Sequence, residues 1–370
     1  MAGPVAVAAE KELGLLSRAE GLVSVRSIRF LHPGYADNDN ILLILSALDD
    51  GGGVHHETAR IACAILADSR WDGYFSLTAN GPPLAGETDS PDAVLALPAY
   101  YFCVPGTTSY PVVPSLEHFS FPLNLPPSWS AAAAPTAPSA SERVPDRDRT
   151  CRMTNWSLPV EIAHIIPHAQ ADWWRSNNMS LYSHCPESST DTQCPENAIL
   201  LRKDAHHLWD VHRFAIVPKA GQWVVHVLDN LLSSELSDTY HNLAMLPLRQ
   251  VAREYLLARF ALAILSWKSM FTKQCLRPRA LVLLNEDREK EIETLSGPVC
   301  RARFATSSRS KSRDGSPQKR SRTAQSNDDH DSGSDSSGFF DELGRKLTSW
   351  EAEQWGLDLM ERTSVSEEED

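Results

Sequence analysis

The sequence predicts an α+β protein, and three observations carry that expectation. Short runs rich in Val, Ile, Leu and Tyr have the length of strands, and they alternate with stretches whose apolar residues recur at helical spacing. Both kinds of segment occur on each side of a Pro-, Ala- and Ser-rich interlude, "PLNLPPSWSAAAAPTAPSASERVPDRDR", residues 122–149. That composition is one of a flexible, partly extended linker, which divides the chain into two folded units.

In chain order, residues 1–19 are expected to be disordered, and residues 20–121 to form a small mixed α/β domain of unknown role. Its strands are expected in "GLVSVRSIRFL", "ILLILSAL", "GYFSL" and "VLALPAYYFCV", with a turn at "DDGGG" and a helix in "HHETARIACAILADS". His55 and His56 stand at that helix start, where exposed polar residues near a cap are expected. The second unit, residues 150–296, begins with a His- and Trp-rich half. It continues into "NLAMLPLRQVAREYLLARFALAILSWKSMF", where Leu256, Phe260, Ile264 and Trp267 recur at helical spacing. Ala and Leu between them make nearly every face apolar, so this helix should be buried all round. Residues 297–370 are basic and Ser-rich, then acidic and Ser-rich, and lack the apolar side chains that offset chain ordering. A short amphipathic helix is expected at 339–356 from Phe340, Leu343, Leu347 and Trp350.

With 370 residues, 42% of them hydrophobic, the chain can build real cores, and its net charge of −13 opposes non-specific DNA binding by the whole molecule. The start "MAGPVAVAAEKELGLL" lacks the pattern of a secretory leader, and the most apolar window, "YLLARFALAILSW", is short and carries Arg259. An intracellular protein with no membrane span is expected. The basic stretch "RSKSRDGSPQKRSR" slightly favours the nucleus, and the tail is a candidate surface for protein partners. Seven scattered cysteines with no C-x-x-C pair fit reduced thiols rather than a disulfide scaffold. Cys151, Cys185 and Cys194 with His184 remain a minority alternative as a structural zinc site.

The chemistry concentrates in two stretches, "VEIAHIIPHAQADWW" (160–174) and "CPENAILLRKDAHHLWDVHRFAIVP" (194–218). Asn197 precedes the apolar strand "AILL", and a helix starts at Arg202 to Asp204 with an acidic residue in its first turn. On that helix Ala205, Leu208, Trp209 and His212 share the core-facing stripe. His206 and Asp210, four apart, lie together on a neighbouring stripe and can reach one divalent cation, whereas His207 has only Val211 at that spacing. Seen alone, such a pair is more often a surface ion pair. His168, His207 and His212 are expected to be packing or surface residues, and Trp173, Trp174 and Trp209 to anchor the core. Arg202, Lys203, Arg213 and Lys219 are candidate phosphate contacts.

The ordered set "AHIIP", "ENAILL" and "DAHHLWD" resembles the HNH endonuclease domain, in the variant common in fungal proteins with an A-H-I-I-P strand and an N-x-x-x-L-x-x-D-x-H-x-L-[FW]-D helix. The resemblance covers about 70 residues, from Cys151 to near Pro218. It implies a ββα-metal fold (two strands and a helix around one divalent ion) and hydrolysis of a nucleic-acid phosphodiester, with DNA as the expected substrate. His164 holds the position of the general base, Asn197 that of the residue that holds the loop and orients the base, and His206 that of a metal ligand, with Asp210 as a second. Mg²⁺ is the expected ion, with Mn²⁺ and Zn²⁺ as alternatives. One position departs from the family: Ala163 stands where an Asp or His ligand commonly precedes the base. Glu161 is an odd number of residues from His164, so it is expected on the opposite face, and a third ligand stays unassigned. A catalytically weak or inactive module that binds nucleic acid or protein is the alternative reading.

Overall fold

Alternation of exposed and buried residues writes the first strand of the computed structural model: in β1 (Ser27–Leu31), Ile28 and Phe30 are fully buried while Ser27 and Arg29 face out. The structure describes residues 26–37, 39–132, 143–184, 192–228, 235–273 and 276–304. The expectations for residues 1–19, Cys185, Cys275, the basic and acidic tail and the helix at 339–356 lie outside them. The described residues all fall within one compact unit, residues 1–308.

The architecture is mixed α and β with several small sheets. β2 (Ile41–Ser46), β3 (Val54–His55), α1 (His56–Leu66), β4 (Tyr74–Ser76), β5 (Val94–Leu95) and β6 (Ala99–Cys103) follow β1. The largest sheet has the order β2-β1-β6-β4, with β1 and β6 parallel and the other neighbours antiparallel. Between β2 and β3 the chain reverses at Asp49–Gly53, where Gly51 and Gly52 supply positive φ of 67° and 73°. His55 and His56 differ from expectation: they are buried, not exposed. The His55 ring caps α1 by accepting the Thr58 N–H at 3.2 Å, β3 pairs with β5 over Val54 and His55, and the His56 N–H donates to the Ala93 carbonyl at 2.8 Å, so these bonds carry the helix start inside.

Within residues 122–149, Pro127–Ala131 form α2 and Val144–Asp148 form α3. Trp129 on α2 is fully buried, with ring centroids 5.3 Å from Trp223 and 6.0 Å from Phe260. Further on come β7 (Val160–His164), α4 (Ala171–Ser176), β8 (Ala198–Arg202), α5 (Lys203–Asp210), β9 (Phe214–Lys219), β10 (Gln222–Val227), α6 (Glu235–Tyr240) and α7 (Arg253–Ala263). Helix α7 is buried on every face from Tyr255 to Ala263, as its composition predicts, and continues into a π-type turn at Ile264–Lys268. Residues 242–252 do not join it. Pro247 has no N–H to give a helix, Gln250 takes a positive φ of 57°, and Asn242 and Met245 instead donate to the Val225 and Trp223 carbonyls of β10. The hairpin β11 (Arg279–Leu284) and β12 (Lys290–Leu295) follows, and α8 (Gly297–Phe304) buries Cys300 and Phe304.

One buried cluster runs through these elements, from Ile28 to Phe304. Several polar groups inside it find partners. His32 is fully buried, with its Nδ1 accepting the Gly34 N–H at 3.0 Å, so its Nε2–H donates to the Tyr110 carbonyl at 2.9 Å. Burial lowers its pKa to about 4, the Tyr110 bond opposes that, and the Arg279 charge adds to it. Arg279, also buried, donates to Asp39 at 2.7 Å and lies over Tyr35 and Phe271.

Two outcomes are expected. Trp129→Ala should destabilise the protein by about 3–5 kcal/mol, read as a shift in a denaturant midpoint, because the cavity is enclosed by other aromatic rings. In the unfolded chain His32 takes up a proton as pH falls through about 6.5, while the folded chain resists until about pH 4. Stability should therefore fall with pH across that window, and His32→Gln should flatten the slope there even if it lowers the plateau.

Candidate functional site

The hairpin of β7 and β8 is antiparallel, with Val160 opposite Arg202 and His164 opposite Ala198. Helix α3 closes the outer edge of β8. Asp148 accepts the Leu200 N–H at 2.9 Å, and Arg147, paired with Asp148 at 2.7 Å, donates to the Pro195 and Ala198 carbonyls at 2.9 and 2.6 Å. Both side chains are buried, and every oxygen and guanidinium contact named here is matched, the condition under which a buried pair is tolerated. Helix α5 begins where β8 ends. Ala205 and Trp209 face the core, and the Trp209 indole donates to the His164 carbonyl at 2.9 Å, which pins the end of β7 to α5.

Asn197 is fully buried in the turn before β8. Its Oδ1 accepts the Ile166 N–H at 2.8 Å, and its Nδ2 donates to the Ile166 and Thr192 carbonyls at 2.9 and 2.8 Å. The backbone just past His164 is thus held by one amide. Arg259 of α7 reaches the same place from below: it is buried, 4.4 Å from the Trp209 ring centroid, and donates to the Ile165 and Trp209 carbonyls. Burial lowers its pKa to about 9, with the Asp210 charge acting in the opposite direction.

On α5, His206 stands between two carboxylates. Its Nδ1 is 3.1 Å from Glu161 Oε2 and its Nε2 is 3.5 Å from Asp210 Oδ2. The expectation that Glu161 plays no part is corrected by the first of these contacts. The face that matters is that of Ala163, two residues on, and strand alternation puts Glu161 and Ala163 on the same side, toward α5. Ala163 is fully buried there, so Glu161 is the strand residue whose carboxylate reaches the helix. The His206 hydrogen bond, with Lys203 beside it at 3.5 Å, holds the Glu161 carboxyl below its ordinary range.

His164 is half-buried and, by the same alternation, shares the side of Ile162. The structure brings Glu161, His206 and Asp210 into one chain of contacts, but the ligand atoms of His164, His206 and Asp210 do not all lie within 4.8 Å of one another. Among the described residues that closeness is reached by Asp49, His226 and His241. This group was not foreseen, because its members are far apart in sequence and no spacing marks it. Its present state is a hydrogen-bonded network. His241 Nδ1 accepts the Val227 N–H at 3.2 Å, so Nε2 carries the hydrogen toward Asp49 Oδ1 at 3.1 Å, and Lys219 Nζ sits on the same oxygen at 2.6 Å. A metal could enter only by displacing Lys219 and changing the His241 tautomer. Burial pushes the Asp49 carboxyl up, but the His241 bond and the charges of His226, Lys219 and His241 outweigh it, and the net shift is strongly downward.

The basic candidates divide. Lys219 is spent on Asp49 inside the protein and is not available to a phosphate. Lys203 is exposed, Arg202 pairs with Asp204 at 2.6 Å, and Arg213 is half-buried beyond the helix. Trp173 and Trp174 are buried with Trp209, and His207 and His168 are exposed. His212 is not on the helix stripe. Helix α5 ends at Asp210 and His212 takes a positive φ of 58°, leaving its ring mostly enclosed with the pKa lowered by burial to about 3. No helix of the described residues is long and apolar enough to cross a membrane.

No curated protein and no solved structure matches the chain. Residues 151–217 match the family model described as HNH endonuclease, a segment that runs from Cys151 through β7, Asn197, β8 and α5 into β9. The Asn-held turn, the strand histidine and the helix histidine all lie inside that matched segment, so residues 151–217 are the part of the chain that matches an HNH endonuclease domain.

Proposed function

We propose that this protein is a metal-dependent endonuclease that hydrolyses phosphodiester bonds of DNA, with His164 as general base. The observation that carries the reading is Asn197: a fully buried amide spends all its hydrogen bonds on the backbone next to His164 and its loop, inside the segment that matches the nuclease family. So much polar matching around one turn serves to aim the strand end. A half-buried imidazole there can take a proton from an attacking water near neutral pH.

His206 and Asp210 would hold one divalent ion. Their facing atoms, 3.5 Å apart, lie within the span of up to about 4.2 Å open to two ligands of one ion at about 2.1 Å, and an N plus O donor set suits Mg²⁺ or Mn²⁺ and accepts Zn²⁺. Glu161 then takes the outer role: with Nδ1–H donated to its carboxylate, His206 keeps the Nε2 lone pair toward Asp210. When bound, the ion stabilises charge on the phosphate and the departing oxygen. Asn197 orients the strand end, and Arg202, Lys203 and Arg213 are the nearby cations for the phosphate backbone. The basic tail "RSKSRDGSPQKRSR" would direct the enzyme to the nucleus, and the tail as a whole would be its surface for protein partners.

One observation favours a second reading, a catalytically weak or inactive HNH-fold module. The position before His164 carries the fully buried methyl of Ala163, and the atoms of His164, His206 and Asp210 do not close on one point.

Three measurements bear on these readings. Purified protein with Mg²⁺ or Mn²⁺ should nick plasmid DNA, and His164→Ala should lower the rate about 10²–10⁴-fold with the fold intact; equal rates in both proteins would defeat the proposal. Calorimetric titration with Mn²⁺ should show binding that His206→Ala removes and Glu161→Ala weakens about 10–100-fold. Absence of divalent binding, or binding indifferent to His206, selects the inactive module. Asn197→Ala should destabilise the protein by about 3 kcal/mol or more, since it strands buried backbone partners at Ile166 and Thr192.

A further inference from the structure

The turn that leads into β7 displays a large aromatic ring to solvent. Trp156 is 62% exposed, although the backbone beneath it is fixed: its carbonyl accepts the Cys151 N–H at 2.9 Å and its N–H donates to Thr154 Oγ1 at 3.4 Å. Leu158, 76% exposed, and Ile162, 43% exposed, continue the apolar surface along the strand that ends in His164. The Arg202 guanidinium lies 5.4 Å from the Trp156 ring centroid, and Arg202 is held in turn by both oxygens of Asp204, at 3.0 and 2.6 Å. A tryptophan kept out of the core, on a fixed turn and against a guanidinium, is a platform rather than a packing residue.

We propose that Trp156 is a stacking platform for an unpaired nucleobase, so that the nuclease engages single-stranded, frayed or flipped-out nucleic acid. The inference rests on the nucleic-acid reading of the site above. In a paired duplex each base face is already covered by its neighbours, and only an unstacked base can lay a face on an exposed indole. Location supports the assignment. Val160, opposite Arg202, is four strand residues, about 13 Å, from His164, so the guanidinium against which the Trp156 ring lies projects from the same hairpin as the candidate base, within a few nucleotides of the bond to be cut.

Charge decides between stacking and electrostatics as the source of affinity. The two cations at the platform are each already facing a carboxylate, Arg202 with Asp204 and Lys203 with Glu161, and the chain as a whole carries −13. Phosphate neutralisation is therefore limited to about two contacts, and stacking must supply a large share of the binding. A protein partner would be served by the same apolar surface, but the position beside the strand of the nuclease motif favours a base.

The test uses the full chain carrying His164→Ala, so that binding is read without cleavage, with a fluorescent 20-nucleotide oligo-dT strand and a blunt duplex of equal length as probes. Trp156→Ala should weaken single-strand binding roughly 5- to 150-fold and leave duplex binding within about threefold, while Trp156→Phe keeps most of the single-strand affinity. The salt dependence of single-strand binding should be shallow, with a log–log slope of about −1.4 for two phosphate contacts. Unchanged single-strand affinity in Trp156→Ala, or an equal loss for strand and duplex, overturns the inference. A wild-type protein that cuts nothing while Trp156→Ala still loses single-strand affinity would defeat the nuclease proposal and leave the platform standing.

Discussion

Asn197 is the group on which the geometry of the site depends, because it converts a turn between a loop and a strand into a fixed support. Its amide carries no charge, so nothing about it varies with pH, and its burial removes water as a competitor for the Ile166 and Thr192 groups it bonds. Arg259 and the Trp209 indole add bonds to the adjoining carbonyls, at Ile165 and His164. The end of β7 is thus gripped from the turn, from α5 and from α7. A catalytic imidazole needs that kind of preorganised mounting, since small errors in its direction are costly to the rate.

The same part of the molecule concentrates buried charge. Arg147 with Asp148, Arg259 over Trp209, and Asp49 with Lys219 and His241 are all removed from solvent. Each such group would be strongly unfavourable alone and is held by the partners named, an acid for Arg147 and Lys219 and two carbonyls and a ring for Arg259, so these networks define geometry more than they add net stability. The Asp49 network has a further consequence. Lys219, His241 and Asn242 converge on one oxygen of a residue far earlier in the chain, so the turn after β2 and the region of β9 to α6 are fastened to each other by polar matching as well as by the continuous apolar core.

Around this rigid frame the outward surface is varied in chemistry. Glu161, His206 and Asp210 alternate acid and imidazole on the side of α5, while Ile162, Leu158 and Trp156 give the neighbouring surface an apolar and aromatic character. With charge pairing limited to short local contacts, the proposed recognition would draw on ring faces and on a bound ion rather than on a broad basic field.

Much of the local architecture was legible in the sequence. Periodicity located β1, β2, α1 and the fully buried α7, because these features depend only on spacing along one element, and the ordered "AHIIP", "ENAILL" and "DAHHLWD" marked the nuclease-like segment through their resemblance to a known family. The sequence alone also placed His206 and Asp210 on one helix stripe. What only the tertiary structure decided are relations between elements. Strand pairing at His55 and the His56 bond to Ala93 drew the helix start inside, Pro247 and β10 kept residues 242–252 out of α7, and the Asp49 network took Lys219 away from solvent. Most consequential is Glu161: counted from His164 it points away, but the register of β7 against α5 sets it on the face of Ala163 and against His206. A one-dimensional pattern fixes which side of its own element a side chain takes, and only packing fixes what stands on that side.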